Sequence, residues 1–206
     1  MATKLRVIFG APSVSWGGLF TPEAREREIA KFKRQLSALK PAFPGVTFIE
    51  EELRSRKDFA KLDEDRGEDG LLFLNLTGGT DEAIFKALDR GLPVILFVEP
   101  YSWHVWCREA LRTHPNASKL MLVSSSRFDD VAAKIKVVEA YKRLKETKIL
   151  LFGNWETDDV KLIYGADSIP HYTIADMERA FGVEIKRMGL RVLLDAYAAV
   201  SYTHLR

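Results

Sequence analysis

The chain has 206 residues, of which 47% are hydrophobic and 29% charged, and a formal net charge of +2. That is the composition of a folded chain of one domain plus part of a second, which excludes a disordered polymer. Acids and bases are mixed throughout, without a basic stripe for nucleic acid or an apolar run long enough for a membrane, so neither partner is expected. A single cysteine, Cys107, and an N-terminus without a secretory leader fit a cytoplasmic protein.

Leu5 to Phe9 reads as a buried first strand ending at Gly10. A loop rich in Gly, Ser and Pro follows. Thr21 is placed to cap a helix whose first position is Pro22. Ile29, Phe32, Leu36 and Leu39 then recur at helical spacing. Val46 to Ile49 is a second strand. Glu50 to Asp69 is dense in both charges and predicts a solvated helix with a thin apolar edge at Phe59 and Leu62.

Leu71 to Leu76 is an uninterrupted apolar strand of the kind buried on both faces of a parallel sheet. Thr77-Gly78-Gly79-Thr80 turns into a helix carrying Ile84, Ala87 and Leu88, which Gly91 ends. Pro93 opens the strand Val94 to Val98. Trp103 to Leu111 predicts a short helix and Lys119 to Val123 a fifth strand. Val131, Ile135 and Val138 mark a long helix reaching about Lys145. Strand Lys148 to Phe152, a long loop from Gly153 to Tyr172, a helix capped by Thr173 and strand Val183 to Ile185 repeat the order of residues 4–49.

These elements predict a Rossmann-like or flavodoxin-like parallel-sheet domain over 1–146. The beginning of a second α/β domain is expected over 147–206. A single lobe holding all the strands is the alternative.

Loops at the carboxyl ends of parallel strands are where such folds bind ligands. Trp16, in the loop after the first strand, offers an aromatic plane for a sugar or base. It equally suits packing the loop onto the domain. Thr77-Gly78-Gly79-Thr80 brings backbone N–H groups and two hydroxyls to a helix start, suited to phosphate, carboxylate or sugar hydroxyls. It lacks the Gly-x-Gly-x-x-Gly spacing and the phosphate-loop lysine, so no nucleotide site is expected. A plain turn with Thr80 as cap is the competing reading. Glu99, Tyr101, Trp103 and His104 gather chemistry-bearing groups after the fourth strand. A hydrolase or transferase using Glu99 and His104 is one rival reading. His104, His114, His171 and His204 stand at no metal-ligand spacing, so no metal site is expected within this chain. Ser124 to Ser126 lacks the pattern of a nucleophile elbow.

The run Asp69-Gly70-Leu71-Leu72-Phe73-Leu74-Asn75-Leu76-Thr77-Gly78-Gly79-Thr80 resembles the N-terminal domain of the L-fucose/L-arabinose isomerase-like superfamily. Val137 to Gly153 resembles that family's passage from first to second domain. Ile174 to Val183 resembles the helix before the second domain's next strand. The resemblance implies aldose–ketose isomerisation through an enediol, with manganese or another divalent metal polarising the sugar oxygens and acidic residues moving the proton.

In the family the metal ligands lie later than the end of this chain, so the resemblance assigns no catalytic or metal residue here. It implies a fragment inactive alone, belonging to an active homo-oligomer. Trp16, Thr77, Gly78, Gly79, Thr80 and Trp103 match loops that hold the monosaccharide in a neighbouring subunit. Gly10 to Phe20 lacks the Gln of arabinose isomerases proper, which argues against arabinose. A non-catalytic, two-lobed sugar-binding module of the periplasmic-binding-protein type is the alternative. Val200 to Arg206 resembles a translated sequencing-adapter peptide, which predicts a non-native ending from about residue 200, as against a real final strand.

Overall fold

The computed structural model describes residues 2–12, 21–100, 108–152 and 174–203. The chain divides into two compact units, Met1–Glu139 and Ala140–Arg206. The first is an α/β domain built on a five-stranded sheet of order β2-β1-β3-β4-β5, every neighbouring pair parallel. Its strands are β1 (Thr3–Gly10), β2 (Val46–Leu53), β3 (Gly70–Asn75), β4 (Val94–Val98) and β5 (Leu120–Ser124). Between them run α1 (Pro22–Leu39), α2 (Asp81–Asp89) and α3 (Arg108–Thr113), and α4 (Ala132–Glu146) follows β5. This is the flavodoxin-like strand order.

Two apolar layers sandwich the sheet. Strand alternation sends Leu5, Val7 and Phe9 to one face, where Ile29, Phe32 and Leu36 of α1 and Ile135 and Val138 of α4 cover them. Ile8, Phe73 and Leu96 face the other side, against Ala83, Ile84, Ala87 and Leu88 of α2. On the first face Phe32, Phe97 and Phe128 meet edge to face, with ring centroids 5.5 to 5.7 Å apart. As expected, α1 begins at Thr21, whose hydroxyl accepts the Ala24 N–H at 3.2 Å, with Pro22 at the first position.

The charged stretch departs from expectation. β2 continues through Glu50, Glu51 and Glu52 to Leu53, and a 3₁₀ helix over Arg56–Asp63 replaces the predicted solvated helix. Strand alternation turns Glu51 inward, and its partner explains why: Arg6, in the middle of β1, is fully buried. All five guanidinium N–H donors find acceptors. Nε and Nη2 donate to Glu51, Nη2 also to the Lys61 carbonyl, and Nη1 to the Glu64 carbonyl at 3.0 Å and to Glu68 at 3.2 Å. Glu51 and Glu68 are themselves buried and take second cations, Arg66 at 3.0 Å and Arg90 at 3.2 Å.

The helix predicted from Trp103 begins, within the described residues, at Arg108 and extends to Thr113. In the second unit, β6 (Lys148–Phe152) and β7 (Glu184–Met188) pair in parallel. With α5 (Ile174–Phe181) they gather a small core of Ile174, Val183 and Ile185. Leu190–Thr203 forms α6, a helix where a final strand was the competing reading. The predicted loop Gly153 to Tyr172 lies outside the described residues.

Candidate functional site

In a doubly wound sheet the ligand crevice opens where the strand order reverses, outside the carboxyl ends of the strands. Here that point lies between β1 and β3. The two strand ends are locked together: the Gly10 carbonyl accepts N–H groups from Leu76 at 3.0 Å and Thr77 at 3.3 Å. The approach needs glycine, because a Cβ on Gly10 would stand 2.6 Å from the Phe73 ring and 3.2 Å from the Leu74 carbonyl oxygen.

The turn after β3 is thus held in place. Gly79 has φ +79°, a left-handed conformation that glycine adopts without strain. Gly78 borders open space, since a Cβ there would meet nothing within 4 Å. Thr77 is half-buried and its hydroxyl donates to the Gly78 carbonyl at 3.3 Å.

Thr80 behaves differently from the helix cap that one reading expected. Its side chain makes no capping bond; it is buried and donates to Asn75 Oδ1 at 2.7 Å. Thr80 therefore shapes the turn from beneath. A Thr80→Val variant should lose about 1 to 3 kcal/mol of stability, because Asn75 Oδ1 gives up a buried donor. Urea denaturation with an unchanged m-value checks this.

Thr80, the residue before α2, makes no side-chain capping bond, so it leaves the amides of the first turn to other acceptors. Asp81 and Glu82 occupy that turn. Their charge offsets the positive end of the helix dipole, disfavouring an anion at this point and leaving neutral hydroxyls as suitable acceptors for the amides.

After β4, Glu99 is engaged by Lys31 of α1 at 2.8 Å, and Glu28 approaches the same ammonium at 3.2 Å. Partial burial works against the Lys31 charge, but the hydrogen bonds to Glu99 and Glu28 outweigh it and hold its pKa above the ordinary lysine value. No sequence spacing announces the Lys31–Glu99 pair, which the sheet order alone brings together. After β5, Ser125 donates to Asp130, and hydrogen bonds from Arg127 and Ser125 hold that carboxyl below its usual range. The serine is thus tied into a local turn.

Of the predicted site residues, Thr77, Gly78, Gly79 and Thr80 lie together at the strand-order reversal. Trp16, Trp103, Tyr101 and His104 lie outside the described residues. An apolar hollow lies elsewhere, at the β4–β5 edge, with Leu96, Leu120 and Leu122 in its wall. Among the described residues no group of three or more His, Cys, Asp or Glu could hold a metal ion. Nor is any described helix long and apolar enough to cross a membrane.

The fold places the first unit in the class of Rossmann-like, flavodoxin-like α/β domains. No protein-family model matches the sequence, and no curated protein matches it.

Proposed function

We propose that the chain supplies one wall of a monosaccharide pocket, as the N-terminal part of a metal-dependent aldose–ketose isomerase. One observation carries the reading most directly. At the strand-order reversal α2 starts without a capping bond from Thr80 and Gly78 borders open space, while Asp81 and Glu82 make that place unfavourable for phosphate. Neutral, polyhydroxylated ligands suit such a site. The resemblance of Asp69 to Thr80 to isomerase N-terminal domains supports the same choice.

The described residues do not offer manganese a ligand set. No proton transfer or metal-bound step is therefore assigned to them. Their role in this reading is to bind and orient the sugar for catalytic groups carried outside this chain.

Titration with a panel of aldoses and ketoses, followed by calorimetry or ligand-observed NMR, tests the proposal. Millimolar binding is expected, without turnover by this chain when manganese is added. A Gly78→Val side chain would enter the open space without meeting the protein, so it should weaken binding about tenfold or more and leave the melting temperature unchanged. Binding that ignores Gly78→Val, or tighter binding of phosphorylated than of neutral sugars, would overturn this assignment of the site.

A further inference from the structure

We infer that β5 is a self-complementary contact edge, through which two copies of this chain pair antiparallel about Leu122 and continue one sheet across a two-fold axis. The two edges of the sheet, β2 and β5, are built differently. β2 carries Glu50, Glu51 and Glu52, with Glu50 paired to Lys40 at 2.6 Å and Glu52 to Lys33 and Arg54. Charges of this kind discourage a further strand. β5 reads Leu-Met-Leu-Val-Ser, with neither charge nor proline.

Its backbone is oriented for pairing. Ser125 N–H donates to the Val98 carbonyl at 3.1 Å. The alternation of a parallel ladder then turns Met121 and Val123 toward β4, and the N–H and C=O of Leu122 and Ser124 toward the open edge. Among the described residues no strand lies beyond that edge. The Leu120 N–H is already used by the Ala117 carbonyl, but the Leu120 carbonyl points outward with the others.

An antiparallel copy centred on Leu122 satisfies these groups in register, except the Ser124 carbonyl, whose counterpart N–H on Leu120 is already engaged. Leu122 exchanges both backbone bonds with the partner's Leu122, and each Ser124 N–H meets the partner's Leu120 carbonyl. The side chains agree with this register. Leu122 is 43% exposed and lies beside Leu96 in the sheet. Together with Leu111, Ala117 and Leu120, and with Arg112 and Ser118 at its wall, these leucines line a mainly apolar hollow of about 540 Å³. Directly opposed side chains on one face of an antiparallel pair touch, so the two Leu122 side chains close that hollow between them. On the other face Met121 meets the partner's Val123. No position sets charge against charge. The occupant is a second copy because this edge, reversed, supplies its own apolar partner at each central position.

The inference stands apart from the sugar-pocket reading, since it uses a different edge of the sheet and a different measurement. Sedimentation equilibrium over micromolar concentrations should show a monomer–dimer equilibrium. Leu122→Lys places a charge on the axis and should weaken it about tenfold or more, while at concentrations where both chains are monomeric the exposed position leaves the melting temperature unaffected. In a Cys107→Ser background, Leu122→Cys should cross-link under mild oxidation, because directly opposed, hydrogen-bonded residues have Cα atoms about 5.5 Å apart. A wild-type chain that stays monomeric, a dimer indifferent to Leu122→Lys, or failure of the cross-link in a dimeric sample would overturn the inference. Capture of an apolar small molecule by the hollow of a purely monomeric chain would do so too.

Discussion

Replacing Arg6 by alanine should cost about 3 to 5 kcal/mol of unfolding free energy, enough to bring a small domain near its stability limit. Glu51 and Glu68 are buried with the guanidinium, and its removal strips hydrogen bonds from both while they remain out of water. Arg66 and Arg90 still approach these carboxylates but cannot occupy the interior position. A concerted replacement, Arg6→Met with Glu51→Leu and Glu68→Gln, should recover most of the loss, because apolar substitutes for a buried ion pair are often neutral or stabilising. Chemical denaturation of the single and triple variants distinguishes the two cases. Equal destabilisation by both would show that packing around Arg6, and not its charge, dominates.

Phe97→Ala should be comparably severe, about 3 to 5 kcal/mol, for another reason. Phe97 is 1% exposed and shares edge-to-face contacts with Phe32 of α1 and Phe128 before α4. Its loss leaves a cavity between the sheet and the helices, which the strand backbone cannot close. Phe97→Leu should cost markedly less, since it keeps most of the apolar volume. The contrast is readable in thermal melts. Similar melting temperatures for the two variants would indicate that the face collapses around the gap.

The parallel sheet was legible because its central strands are continuous apolar runs. Leu71 to Leu74 and Val94 to Val98 admit hardly any other reading, and Gly91 and Pro93 mark the turn between them. The second strand was only half visible, because a run of glutamates resembles a solvated surface. The missing clue was Arg6 itself. A lone arginine inside Leu5 to Phe9 demands buried carboxylates, and Glu51 and Glu68 answer that demand across 45 and 62 residues of sequence. Local periodicity carries no information over such distances. The site was legible to the same degree. The glycines after β3 announced a tight turn at a helix start, whereas the burial of Thr80 on Asn75 depends on a close approach that the residue order does not encode. The Lys31–Glu99 pair was equally hidden, since it depends on which strand lies beneath which helix.

β1 carries its two special positions at different stations: Arg6 midway along the strand and Gly10 at its carboxyl end. The ion network clamps the sheet from within, and the turn at Gly78 contributes no residue to it. Changes of sequence in that turn can therefore accumulate without drawing on the clamp's contribution to folding. A domain arranged in this way lets that turn drift in sequence while the frame beneath it stays constant.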